Sequence, residues 1–128
     1  MSTEQNKAAV RRLLEVGIDG WSSMVDELYA PDFVIDGVPQ GREAAKQTNT
    51  WIRSTYPDLK MHPHIEFMVA EGDYVVVRST ERFTNAGKES SGSDFSAFRF
   101  ENGKIVETWS GTSAMALMQE VGVTLPSA

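Results

Sequence analysis

The apolar positions near the start of the chain recur at helical spacing. Val10, Leu13, Leu14 and Ile18 fall on one face of an amphipathic helix. Ser2 with Gln5 three residues later forms a capping box ahead of it, and Gly17 and Gly20 weaken its end. Ser22-Ser23 starts a second helix carrying Met24, Val25, Leu28 and Tyr29, and Pro31 stops it. Residues 33–36 form a brief β-like run closed by the turn residues Gly37-Val38-Pro39-Gln40-Gly41. The third helix spans Arg42 to Thr55, with Ala44, Ala45, Thr48, Trp51, Ile52 and Thr55 as its inward stripe. It ends at Tyr56-Pro57-Asp58, because a residue before proline resists the α conformation.

Beyond Asp58 the period changes from helical to alternating. Residues 60–70 read as extended, Glu71-Gly72-Asp73 turns the chain, and residues 74–84 are rich in β-branched side chains. Asn85-Ala86-Gly87-Lys88 turns again. Residues 89–93 read as a polar, flexible approach to a strand over 94–101. Asn102-Gly103 then makes a hairpin into residues 104–113. A short closing helix is predicted over 115–121. Helices followed by four consecutive antiparallel strands give an α+β class, since no strand-helix-strand alternation is present.

A length of 128 residues fits a single domain covering 1–128. With 41% hydrophobic and 23% charged residues, the composition is that of a globular chain able to bury one core. The net charge of −6, with basic residues scattered apart from Arg11-Arg12, excludes a nucleic-acid partner. The absence of cysteine excludes disulfides, thiolate metal sites and a cysteine nucleophile. No apolar run reaches membrane-spanning length, and the N-terminal residues lack a secretory pattern, so no membrane partner and a cytoplasmic location are expected.

Several stretches together resemble a known family. They are Tyr56-Pro57-Asp58, then Ala70-Glu71-Gly72-Asp73 followed by Val75-Val76-Val77-Arg78. The run from Phe98-Arg99-Phe100 through Asn102-Gly103 to Glu107-Thr108-Trp109 and the ending Gln119-Glu120-Val121-Gly122 complete the set. The chain resembles the SnoaL-like polyketide cyclases of the nuclear-transport-factor-2-like superfamily. The resemblance implies a cone-shaped, curved sheet wrapped around the N-terminal helices, enclosing an apolar pocket, usually in a homodimer. Members close polyketide rings by intramolecular aldol condensation, and relatives open epoxides or isomerise ketones. The family's acid/base aspartate corresponds to Ser96 here, and a histidine common in its last strand corresponds to Thr108.

If the family alignment holds, the face carrying Asp94, Ser96, Phe98 and Phe100 lines the pocket. Asp94 then lies one rung from the vacant aspartate position, where desolvation would raise its pKa and suit it to moving a proton. As the first residue of a strand it is also read as a solvated side chain at the pocket mouth, and that reading is the favoured one. His62, His64 and Glu66 share a face of their strand; either histidine is a candidate base, while Pro63 suggests a solvated edge. No third ligand makes a metal site. Asp36 either reaches into the pocket to hold substrate or caps the Gly37 and Val38 amides. Arg78, Thr80 and Arg82 share a face, and an arginine inside the pocket would contact a carbonyl or anionic substrate. Outside it would be a surface charge, the reading favoured for at least one of the two. Trp51, Tyr56, Phe98, Phe100, Trp109 and Met115 line the pocket or the core.

No elbow-type serine triad, phosphate loop or dinucleotide fingerprint is present. The expectation is a cofactor-independent cyclase or isomerase acting on a mostly apolar, polyketide-like small molecule. Catalytic candidates are Asp94, Asp36, His64 and His62; substrate-binding candidates are Trp51, Tyr56, Ser96, Phe98, Phe100, Trp109 and Arg78. Epoxide opening on the same scaffold is the first alternative, and paired carboxylates in one pocket would favour it. A non-catalytic ligand binder or accessory subunit is the second, and an unpaired, buried carboxylate would count against it.

Overall fold

The computed structural model describes residues 2–111 and 113–124. Its first helix, α1 (Thr3–Glu15), begins at the predicted capping box: the Gln5 amide donates to Ser2 Oγ at 3.1 Å and the Ser2 amide to Gln5 Oε1 at 3.0 Å. Helix α2 (Trp21–Leu28) runs directly into strand β1 (Tyr29–Ile35). The strand therefore starts earlier than its sequence pattern indicates, and Pro31 lies within it instead of only ending the helix. An Asp36-Gly37 turn leads to the two-residue β2 (Val38–Pro39). Both central residues have positive φ (50° and 80°), as a type I′ hairpin turn requires. Helix α3 (Arg42–Thr55) has the predicted bounds.

The inward stripe of α3 differs from the expected one. Ala45 and Asn49 are buried, whereas Ala44, Thr48, Trp51 and Thr55 are exposed. Asn49 can occupy an inward position because its amide is satisfied there. Ser22 Oγ donates to Asn49 Oδ1 at 2.9 Å, and Asn49 Nδ2 donates to the Ile18 carbonyl at 3.1 Å.

Four long strands follow: β3 (Lys60–Glu71), β4 (Tyr74–Asn85), β5 (Lys88–Glu101) and β6 (Lys104–Trp109), then α4 (Ser113–Glu120). The sheet order is β2-β1-β6-β5-β4-β3, antiparallel except where β1 runs parallel to β6. The polar segment 89–93 is strand, not a flexible approach. It pairs with β4 along its length, and buried Ser90 donates its hydroxyl to the Leu117 carbonyl of α4 at 2.7 Å. The sheet curls without closing around α1, which packs on β3 and β4, while α3 covers β1 and α4 covers β5.

Alternation along β4 and β5 sends Val75, Val77, Phe98 and Phe100 inward, where they meet Val10, Leu13, Val25 and Phe33 in the main core. A second cluster of Leu59, Phe83, Leu117, Val121 and Val123 closes the other end. Burying side chains of this size contributes about 1.5–3 kcal/mol each. Among the described residues no helix is long and apolar enough to cross a membrane.

Candidate active site

Between the two apolar clusters the curled sheet leaves a cavity of about 240 Å³. One wall is apolar: Leu13 and Leu14 of α1, Trp21, Ile35, Met61 and Phe98. The other is polar and comes from inward positions of neighbouring strands, with Ser79 and Glu81 on β4, Asp94 and Ser96 on β5, and Thr108 on β6. A second cavity of about 320 Å³ opens toward α3 and shares Gly17, Trp21, Ile35, Met61 and Ala114 with the first. Ala45, Ile52 and Met118 make its walls largely apolar. Two of its polar side chains are already engaged, Asn49 as described and Thr48 through its hydroxyl to the Ala44 carbonyl at 3.2 Å.

The electrostatics of the first cavity centre on Glu81. Its carboxyl is pushed above the ordinary glutamate range, first by burial and then by the negative charge of Asp94. Among the described residues its Oε2 has no hydrogen-bond partner. No lysine, arginine or histidine among the described residues lines either cavity, so no cation there offsets the shift. Asp94 Oδ1 accepts the Phe95 amide at 2.8 Å. Tyr29, only 4% exposed, also lines the cavity, and burial pushes its phenol up. Its ring makes edge contacts to Phe33 at 4.4 Å and Trp21 at 6.3 Å.

The residues singled out from sequence separate into three places. Asp94, Ser96 and Phe98 line the cavity. Phe100, on the same strand face, is 2% exposed and belongs to the core. Trp109 borders the cavity, but its ring stacks on Tyr74 at 6.2 Å and is 36% exposed.

The remaining candidates lie elsewhere. His62 and His64 are on the exposed face of β3, with His62 Nε2 at 3.3 Å from Thr84 Oγ1. Arg78 is on the same outward face of the sheet. Its Nε is 3.1 Å from Glu66 Oε2, and its guanidinium lies 4.8 Å from the Phe95 ring centre. These two contacts account for Arg78 without a substrate. Trp51, exposed on α3, packs edge to face at 6.0 Å on Tyr56, which lies against the second core cluster and whose hydroxyl accepts the Thr124 amide at 3.1 Å. Asp36 caps neither Gly37 nor Val38; its carboxylate holds Ser110, as described below.

Sequence reasoning missed Glu81. Its signal was the series Val75, Val77, Ser79, Glu81, Phe83, in which one ionisable residue interrupts an otherwise inward-facing alternation. Tyr29 was read as part of a helix, and its place at the start of β1 is what turns it toward the cavity.

Solved structures share this fold. A candidate SnoaL-like polyketide cyclase from Jannaschia sp. CCS1 matches with a TM-score of 0.72 at 23% identity, over 95% of this chain and 94% of that one. IdmH from Streptomyces antibioticus, a candidate polyketide cyclase, gives 0.72 at 24% identity over 93% and 99% of the two chains. AclR from Streptomyces galilaeus, a candidate hydroxylase, gives 0.67 at 22% identity over 94% and 98%. At such identities the likeness is one of fold. No curated protein matches the chain in sequence. The profile of the SnoaL-like polyketide cyclases, however, matches residues 7–121, taking in all the cavity-forming elements, and the chain belongs to that family.

Proposed function

We propose that this protein is a cofactor-independent cyclase or isomerase that moves a proton on a mostly apolar, polyketide-like small molecule, with Glu81 and Asp94 as the proton-handling pair. The observation that carries this reading is the half-buried Glu81 carboxyl, its Oε2 shielded from solvent, held above its ordinary range in the cavity beside Asp94. Two neighbouring carboxyls in a dry site share a proton unequally, which supplies one acid and one base at the same pH. Glu81, protonated, donates to a carbonyl oxygen. Asp94 takes a proton from the carbon next to that carbonyl. The resulting enol attacks a second carbonyl of the folded substrate, whose oxygen takes the proton from Asp94 while the enol hydroxyl returns one to Glu81, or Asp94 reprotonates the enol at another carbon. Ser79, Ser96 and Thr108 offer hydroxyls around the same space.

The first cavity alone, at about 240 Å³, falls below the range of roughly 300–1,000 Å³ common for small-molecule sites. The adjoining apolar chamber toward α3 supplies the remaining room. A ligand with its reactive carbonyl at Glu81 and an apolar arm toward Ile52 uses both. Holding it in one folded shape lowers the entropic part of a ring-closure barrier.

The paired carboxylates also favour a second reading, epoxide opening, with Glu81 protonating the epoxide oxygen and Asp94 activating the attacking hydroxyl or water. Exchange of solvent deuterium into the α-carbon of a neutral polyketone, followed by NMR, supports the first reading. Incorporation of labelled water oxygen into an epoxide probe supports the second. Wild-type rates in both Glu81→Gln and Asp94→Asn would sink the carboxylate assignment in either form. A carboxyl oxygen in the cavity, Glu81 Oε2, that is shielded from solvent and has no hydrogen-bond partner among the described residues weighs against a purely ligand-binding role.

A further inference from the structure

Asp36 lies outside the cavity, in the turn between β1 and β2, yet it is tied to the segment that covers Asp94. Its carboxylate accepts two hydrogen bonds from one residue, from the Ser110 amide at 3.1 Å and the Ser110 hydroxyl at 2.8 Å. Its own amide donates to the Thr108 carbonyl at 2.9 Å, so the turn is fixed to the end of β6 on both sides of Trp109. The next residue, Gly111, lies against the Asp94 side chain. A methyl group at that position would come within 1.6 Å of Asp94 Oδ2 and 1.8 Å of Oδ1. The Gly111 backbone thus forms one wall of the Asp94 carboxylate, while the Phe95 amide holds Oδ1 at 2.8 Å.

We propose that Asp36 is a positioning residue: by clasping Ser110 it holds the Gly111 backbone over Asp94, fixing that carboxylate beside Glu81 and keeping water from the pair. The proposal rests on the functional reading of Glu81 and Asp94 given above. It gives Asp36 a different task from contact with substrate, because each carboxylate oxygen is engaged by Ser110 and Asp36 does not line the cavity.

The physical argument is one of leverage. Ser110 and Gly111 lie just past the last ladder residue, Trp109, and have no sheet partner of their own. Without an anchor they would lift from the sheet end, and Asp94 would gain both rotamer freedom and hydration. A carboxylate accepting two donors from one residue is a strong local anchor. Among the described residues, the ionisable groups lining the cavity near Glu81 are Asp94 from β5 and Tyr29 from β1, with no cation. Wetting the pair therefore relaxes Glu81 toward an ordinary carboxylate.

The test is a carbon-detected NMR titration of the Glu81 side-chain carboxyl in the full chain, as wild type and with Asp36→Ala, Ser110→Ala and Ser110→Thr. The clasp predicts a raised midpoint in wild type that falls toward the ordinary glutamate range in Asp36→Ala. Ser110→Ala should shift it the same way by less, and Ser110→Thr, which keeps both donors, should hold it in place. A merely structural Asp36 would lower the melting temperature without moving this midpoint. A raised Glu81 midpoint that ignores Asp36→Ala in a folded variant overturns the clasp alone; if that variant does not fold, an unchanged midpoint in Ser110→Ala does the same. An ordinary midpoint in wild type overturns the functional reading, and the clasp with it.

Discussion

Glu81 and Asp94 lie diagonally across the β4–β5 ladder on its inward face, for Asp94 pairs with Ser79 and Glu81 is two residues further along the same strand. Diagonal neighbours on one sheet face are within side-chain reach of each other. Burial and the adjacent Asp94 charge both favour the protonated form of Glu81. The pair occupies the polar wall of a cavity whose other wall is apolar.

Replacing Glu81 by Gln keeps the shape and a donor but removes the transferable proton. Turnover of a carbonyl substrate is expected to fall by roughly 10²–10⁴-fold with the fold intact. Steady-state kinetics beside a far-ultraviolet circular dichroism spectrum would check both halves of this statement.

Stability should depend on pH through the same residue. The folded-state pKa of Glu81 is raised, so the native state binds the proton more tightly than the unfolded chain. Its favourable contribution is complete below the ordinary glutamate range and is lost as pH rises through the raised folded value. Urea denaturation across that window should show declining stability in wild type and a flatter profile in Glu81→Gln.

Gly111 leaves no room for a side chain while the Asp94 carboxylate stays in place. A methyl there meets Asp94 Oδ2 at 1.6 Å, so Gly111→Ala must displace the carboxylate or the backbone. A loss of about 1–3 kcal/mol in unfolding free energy is expected, together with a drop in turnover. Denaturation midpoints similar to wild type would show that Asp94 and the Ser110-Gly111 backbone yield freely.

Asn49 is a polar residue on the inward stripe of α3, bonded to Ser22 and to the Ile18 carbonyl. Asn49→Leu leaves those partners unsatisfied and should destabilise the protein by about 1–3 kcal/mol. Chemical denaturation of this variant beside Ser22→Ala would separate the two bonds.

His62 and His64 stand on the exposed face of β3, across the sheet from the cavity. The double substitution to Ala is expected to leave turnover near wild type and stability within about 0.5 kcal/mol. A large loss of turnover would return a histidine to the reaction.

Local pattern alone determined a good part of this protein. The capping box of α1, the bounds of α3, the Asn102-Gly103 hairpin and the four antiparallel strands β3 to β6 follow from short-range rules of capping, turn chemistry and alternation. The same alternation placed Asp94, Ser96 and Phe98 on one face, because side-chain direction in a strand is fixed by parity. Parity alone leaves open which face of β3 and β4 turns inward. Only the curling of the sheet around α1 decided that, sending His62, His64 and Arg78 out and Glu81 in. Pairings between distant segments were equally beyond local pattern: β1 beside β6, Asp36 on Ser110, and Gly111 against Asp94 join residues far apart in sequence. Such contacts depend on where the chain returns in space, so the tertiary structure alone could bring the two carboxylates into one cavity.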